Sequence, residues 1–273
     1  MLSLMMLTHD PVVAKCAEDA GIDRIFYDLE YINKRERQSG RNTVISEYDI
    51  DGIRLVRDNL SNSELVIRVN PIYFNSKNEI EAVLQHSPDY LMLPMVFDDY
   101  DVKKFVEIIN KRAKTIIMVE TAQALARIDS ILEVDGIDEI FVGLNDLHIG
   151  LGLDFMFEIV SGGLLDYIAD KCKAKGIPFG FGGIARIGQG DLPAEKIIGE
   201  HYRVGSETVI LSRTFKGTRD GDEAKVLTLD LKTEVDKVRA RERECSTWTS
   251  REFENNRESV KESVINIVGS IKK

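Results

Sequence analysis

Eight short apolar runs, at 2–7, 24–29, 64–69, 90–94, 115–119, 139–142, 177–181 and 208–211, punctuate the first 215 residues. Each has the length of a strand, and stretches such as Ile116-Ile-Met-Val119 and Leu91-Met-Leu-Pro-Met95 lack the polar alternation of a half-exposed sheet. Strands of this kind are covered on both faces, which is the situation of a parallel sheet. Segments with helical spacing separate them, at 12–20, 50–59, 78–86, 101–112, 122–133, 164–175 and 194–201. Eight βα units in residues 1–215 predict the α/β class and a (β/α)8 TIM barrel, since an open doubly wound sheet usually stops at about five or six strands. In residues 216–273, Val235 and Val238, then Val260, Val264, Ile267 and Ile271, recur at helical spacing. The reading is a C-terminal helical extension of two amphipathic helices split near 246–250. It serves either to close the barrel and project outward or as an arm exchanged within a homo-oligomer.

The chain carries 36 basic and 46 acidic side chains, a formal charge of −10, concentrated in the barrel segment. Such a field repels nucleic acid and anionic membranes, so neither is an expected partner. Cys16, Cys172 and Cys245 are odd in number and match no disulfide or zinc spacing. The opening run is too short for a secretory signal, and no stretch reaches the ~18 apolar residues of a membrane span. The expected compartment is the cytoplasm.

In such barrels chemistry is built where the strands end at their C-terminal side. Here the runs lead into Asp28-Leu-Glu30, Arg68-Val-Asn70, Glu120-Thr121 and Gly143-Leu-Asn-Asp146. Glu120 and Asp146 lie one βα unit apart, on strands that should be neighbours, so both carboxylates can reach one point. An oxygen-only donor pair suits a hard divalent ion, Mg2+ or Mn2+, better than zinc. The competing reading is that each acid only caps the helix that follows.

Residues 118–129 (Met-Val-Glu-Thr-Ala-Gln-Ala-Leu-Ala-Arg-Ile-Asp), 134–147 (Val-Asp-Gly-Ile-Asp-Glu-Ile-Phe-Val-Gly-Leu-Asn-Asp-Leu) and Gly150-Leu-Gly152 together resemble the HpcH/HpaI aldolase and citrate lyase family. Residues 20–30, Val66-Ile-Arg-Val-Asn70 and Leu91-Met-Leu-Pro-Met-Val96 extend that resemblance over about residues 1–215. It implies a metal-dependent lyase of the phosphoenolpyruvate/pyruvate-binding barrels, acting on a 2-oxo acid or another carboxylated anion. It further implies that Glu120 and Asp146 bind the metal, that Arg68 polarises the substrate oxygen, and that Asp28 and Glu30 form the acidic pair of the second strand. Backbone N–H groups from Leu144 through Asn145 to Asp146 would hold the substrate carboxylate. An aldolase-type carbon–carbon lyase, a citrate-lyase or acyl-CoA-cleaving or condensing enzyme, and a catalytically silent carboxylate-binding barrel all fit the resemblance.

Members of that family place a histidine after the second-strand glutamate, where this chain has Tyr31, whose ordinary pKa near ~10 makes a poor base. Metal-bound water, Glu30 and His148 are the alternatives for proton transfer, although a surface position would explain His148 equally. His9 invites the same two readings. The basic stretch Lys34, Arg35, Arg37 and Arg41 reads as a solvated face or an anion-gripping lid. The glycine-rich segment 180–190, with Arg186, and Ser212-Arg213 after the eighth run stand where barrels often bind phosphate. They form no Walker or dinucleotide motif. Arg186 and Arg213 are therefore the expected contacts for a second anionic group, against the alternative of a glycine-shaped loop.

Overall fold

The computed structural model describes residues 1–32, 50–216 and 229–272. Eight parallel strands close into a barrel in chain order: β1 (Ser3–Leu7), β2 (Arg24–Asp28), β3 (Glu64–Arg68), β4 (Tyr90–Leu93), β5 (Lys114–Val119), β6 (Glu139–Gly143), β7 (Phe179–Gly182) and β8 (Thr208–Leu211), the last pairing with β1. The described connecting helices are α1 (Pro11–Asp19), α2 (Asp51–Asn59), α3 (Ser76–Leu84), α4 (Asp99–Ile109), α5 (Ala122–Ala126), α6 (Ile128–Leu132), α7 (Leu144–Gly150), α8 (Glu158–Ser161), α9 (Leu164–Lys175) and α10 (Ala194–Val204). After β8 come α11 (Leu231–Cys245) and α12 (Ser250–Ile271). This is the (β/α)8 TIM barrel with C-terminal helices that the apolar runs predict.

Side chains of one strand parity face the helices and those of the other face the barrel axis. Ile25, Tyr27, Leu65, Ile67, Leu91, Leu93, Ile117, Val119, Ile140 and Val142 belong to the outer core. Met5, Phe26, Val66, Met92, Ile116, Met118 and Phe141 form a separate inner cluster. The same inward parity places a charged layer below that cluster. Arg24 there donates to Glu139 (2.7 Å), Glu64 (3.1 Å) and the Tyr90 hydroxyl (2.9 Å). Above the cluster the parity delivers Asp28, Arg68 and Glu120 to the opposite mouth.

Several elements differ from the periodicity for local reasons. β7 begins at Phe179 rather than 177 because Pro178 has no N–H to give; its carbonyl accepts from Ile140 (3.0 Å). The predicted helix at 122–133 divides at Arg127, whose backbone (φ −111°, ψ 19°) leaves the helical region. Glycines 180 and 183 are packing residues, since a Cβ would meet the Thr208 carbonyl oxygen at 2.6 Å and the Ile210 carbonyl oxygen at 2.7 Å respectively. They let β7 press against β8.

The C-terminal helices lie on this chain's own barrel. α11 packs against α1 and α10, and α12 against α10 and α8. Buried Glu242 on α11 accepts from the Leu2 amide and from Arg239 (2.7 Å), which also reaches the Leu2 carbonyl (2.7 Å) and Asp23 (2.6 Å). Gly199 on α10 admits α12, because a Cβ there would sit 2.7 Å from Asn256 Nδ2 and 2.8 Å from Trp248. Among the described residues no helix is long and apolar enough to cross a membrane.

Glu18 on α1 fixes the turn that feeds β3. Its Oε1 accepts from the amides of Ser61 (2.8 Å), Asn62 (2.6 Å) and Ser63 (2.8 Å), and Oε2 from Lys15 (2.7 Å). Burial opposes its charge, but the Lys15 ammonium and the three amides prevail and hold the carboxyl down at about 2. A carboxyl depressed in the folded chain stabilises it above the unfolded pKa of ~4.3 and loses that contribution as pH falls toward 2. Glu18→Gln is expected to cost about 2 kcal/mol at pH 7. Urea melts at pH 7 and pH 3 should show the gap between wild type and variant narrowing at the lower pH.

Candidate active site

Arg68, the last residue of β3, is the centre of the upper mouth. Its Nε and Nη2 donate to the two Asp28 oxygens at 2.8 and 2.7 Å, a side-on fork, and Nη2 stands 3.3 Å from Glu30 Oε2. Nη1 touches the Met118 sulfur (3.7 Å), and the guanidinium lies over the Phe26 ring at 5.2 Å. The inner apolar cluster is thus the floor of the site. Burial alone would lower the Arg68 pKa, yet the charges of Asp28, Glu30 and Glu120 and the Asp28 hydrogen bonds raise it above its ordinary value. This guanidinium stays charged throughout the usable pH range.

Glu120 follows the end of β5 and is buried. One oxygen, Oε1, accepts from the Met95 amide at 2.8 Å. The other faces Gly143, where a Cβ would come within 2.5 Å of it, so only glycine at the end of β6 leaves that carboxylate room. Burial, then the negative charges of Glu30 and Asp146, push the Glu120 carboxyl up to about 8 against the pull of Arg68 and the Met95 amide. Three acids, Asp28, Glu30 and Glu120, therefore act on one arginine, and Asp146 acts on Glu120. Both Asp28 oxygens and the Glu30 carboxylate are turned to Arg68, whereas Glu120 meets the Met95 amide and feels Arg68 only through space, with Asp146 near enough to raise its pKa. An all-oxygen donor set of this kind is the chemistry that suits a hard divalent cation. No cluster of three or more His, Cys, Asp or Glu side chains arranged for a metal occurs among the described residues. Water and substrate oxygens would have to complete the shell of any ion held here.

The remaining expected residues distribute unevenly. Leu144 is buried, Asn145 exposed and Asp146 half-buried, all in the first turn of α7 directly above β6. His148 is not a surface residue: it is buried, and its Nδ1 lies 3.2 Å from the Leu144 carbonyl one turn back. Tyr31 points outward, 56% exposed. His9 meets the backbone of Asp28, with Nε2 3.1 Å from its nitrogen and its oxygen, and packs edge-on to Tyr27. Arg186 is half-buried beyond β7, and Arg213 is exposed beyond β8. Lys34, Arg35, Arg37 and Arg41 lie outside the described residues.

Two supports have no assigned role in the sequence reading. Buried Asn70, two residues past Arg68, accepts from the amides of Tyr31 (3.0 Å) and Ile32 (3.1 Å), while Glu79 on α3 holds its amide group (2.8 Å). It fixes the chain as it leaves Glu30. The Met95 amide reaches Glu120 from a residue at φ 51°, a conformation no motif marks.

The model of the family described as HpcH/HpaI aldolase/citrate lyase matches residues 3–158. A hydroxypyruvate/pyruvate aldolase from Rhizorhabdus wittichii is 40% identical over 77 residues, which are 26% of this chain and 31% of that protein. An HpcH/HpaI aldolase from Desulfitobacterium hafniense superposes with a TM-score of 0.62 at 14% identity, covering 79% of this chain and 89% of that one. An HpcH/HpaI aldolase/citrate lyase family protein from Burkholderia cenocepacia gives 0.63 at 16% identity, covering 87% and 95%. The citrate synthase SbnG gives 0.62 at 18% identity, covering 86% and 94%. At those identities the structural likeness speaks for the fold alone. With its family model spanning most of the barrel and the motif residues gathered at one mouth, the chain belongs to the HpcH/HpaI aldolase/citrate lyase family.

Proposed function

We propose that this chain is a carbon–carbon lyase of aldolase type that works through the enolate of a pyruvate-like 2-oxo acid and depends on Mg2+ or Mn2+ held by Glu120 and Asp146. The observation that carries the reading is the buried Glu120 carboxyl, pushed up by burial and by the neighbouring charges of Glu30 and Asp146, beside a permanently charged Arg68. A bound divalent ion would supply Lewis acidity toward the 2-oxo acid. Arg68, fixed by its fork to Asp28, donates to the substrate oxygen where negative charge develops. The N–H groups opening α7, from Leu144 to Asp146, hold the substrate carboxylate. Glu30 takes the proton from the carbon next to the carbonyl and returns it, since Tyr31 faces solvent and His148 is turned to its own helix. Asp28 is a positioning residue. It orients Arg68 through both oxygens and is not itself free to move a proton.

Tyr31 in the place of the family histidine favours a second reading, cleavage or formation of an acyl-CoA or citrate-type bond in which that base is not needed. A panel of free 2-oxo acids and acyl-CoA esters separates the two by which one turns over. Either way the substrate is a small carboxylated anion.

Exchange of the pyruvate methyl protons in deuterated water, followed by NMR, tests the enolate directly. Wild type with Mg2+ should exchange them, and Glu120→Gln should lose both the exchange and the metal-induced rise in melting temperature. Exchange that is equally fast without metal, or in Glu120→Gln, would overturn the reading. Arg68→Lys keeps a positive charge for Asp28 but removes the fork, and its exchange rate should fall about 100-fold while the metal-induced stabilisation persists.

A further inference from the structure

Buried or half-buried arginines in this chain are met by carboxylates: Arg24 by Glu139, Arg68 by Asp28, Arg203 by Asp166 and Arg239 by Glu242. Arg186 breaks the pattern. Its Nε is sealed from solvent without a hydrogen-bond acceptor, and its guanidinium makes no ion pair among the described residues. In a protein with ten more acids than bases, 46 against 36, a carboxylate was available to nearly any position. A guanidinium with a buried, unsatisfied N–H costs folding free energy, so an unmet one at a fixed position is a group kept for something else.

Its backbone is held firmly, on the same mouth as Arg68. Beyond β7, Ile184 bridges to Leu211 at the end of β8, donating to the Ile210 carbonyl (3.0 Å) and accepting from Ser212 (2.8 Å). The Arg186 amide donates to Thr214 Oγ1 (3.0 Å), which in turn contacts Ser212 Oγ (3.0 Å), and the Arg186 carbonyl accepts from Gln189 (2.9 Å). Arg186 thus stands on the loop next to the β6 end, whose last residue, Gly143, is in register with Gly182 of β7. Glu195 makes no ion pair with Arg186: its Oε1 takes the Gly188 amide (2.8 Å), and its Oε2 is likewise buried without a hydrogen-bond partner. The rest of the guanidinium makes no hydrogen bond among the described residues either, and its paired N–H groups match two oxygens of a carboxylate or phosphate.

We infer that Arg186 is the anchor of a second anion subsite, which receives an oxyanion at the far end of the substrate. The inference rests on the proposed reaction for its substrate, and it narrows that substrate to a dianion, with one carboxylate at the 2-oxo acid end and a phosphate or second carboxylate distal to it. Arg213, exposed on the neighbouring loop, is a contact of lesser weight.

The test is calorimetric titration of the full chain, without added metal, with inorganic phosphate and separately with succinate, for wild type, Arg186→Gln and Arg186→Lys. One of the two probes should bind wild type, weaken at least about 10-fold in Arg186→Gln, and fall between in Arg186→Lys, which keeps charge without the fork. Phosphate as that probe identifies a phosphoryl group, and succinate a carboxylate. Melting of the ligand-free Arg186→Gln should be no lower than wild type. Loss of stability in that variant, with probe binding unchanged, would assign Arg186 to latent pairing with Glu195 and overturn the subsite. So would binding of neither probe to wild type. Failure of pyruvate exchange in wild type alongside Arg186-dependent probe binding would overturn the reaction and leave the subsite standing.

Discussion

Closure of a parallel barrel gives every strand an inside and an outside, and the alternation of side chains along a strand then decides what the axis holds. In this chain that constraint produces three storeys. A charged layer around Arg24 lies at the bottom, a sulfur- and ring-rich plug of Met5, Phe26, Val66, Met92, Met118 and Phe141 in the middle, and Asp28, Arg68 and Glu120 at the top. A slip of one residue in β3 would turn Arg68 toward the helices and bury it in the outer core. The site therefore depends first on register, with Glu18 holding the turn that feeds β3 and Gly143 leaving the room that the Glu120 carboxylate needs.

The plug also sets the electrostatics. With apolar side chains below and little solvent around it, the Glu120 carboxyl is pushed up to about 8 first by burial and then by the charges of Glu30 and Asp146, even with an arginine nearby. Arg68 compensates Asp28 and Glu30 by direct contact and Glu120 only through space. Geometry thereby sorts similar side chains into two that touch the arginine, Asp28 and Glu30, and one, Glu120, that it reaches only through space.

Much of this is legible in the chain because barrel chemistry follows strand ends. The residues that close each apolar run are the ones found at the mouth, and the acid–arginine set could be marked from adjacency alone. Other parts are invisible to local reading. Arg24 meets Glu139 across 115 positions, and Glu242 meets Leu2 across 240. Asn70 stands in a strand-end motif, yet nothing in that motif says that it ties the chain after Glu30 to α3. His148 reads as a helix-surface histidine because α7 is short. The structure buries it since that helix lies flat against the end of β6, with Leu144 and Leu147 beneath. Glycines 180 and 183 suggest a ligand cradle by composition, whereas the pressure of β8 accounts for them.

The attachment of α11 to the first strand has a consequence for vectorial synthesis. The Leu2 amide and carbonyl are both satisfied by side chains near position 240, and β1 finds its second strand partner only in β8. During synthesis β1 therefore keeps an open edge until both β8 and α11 have emerged and docked.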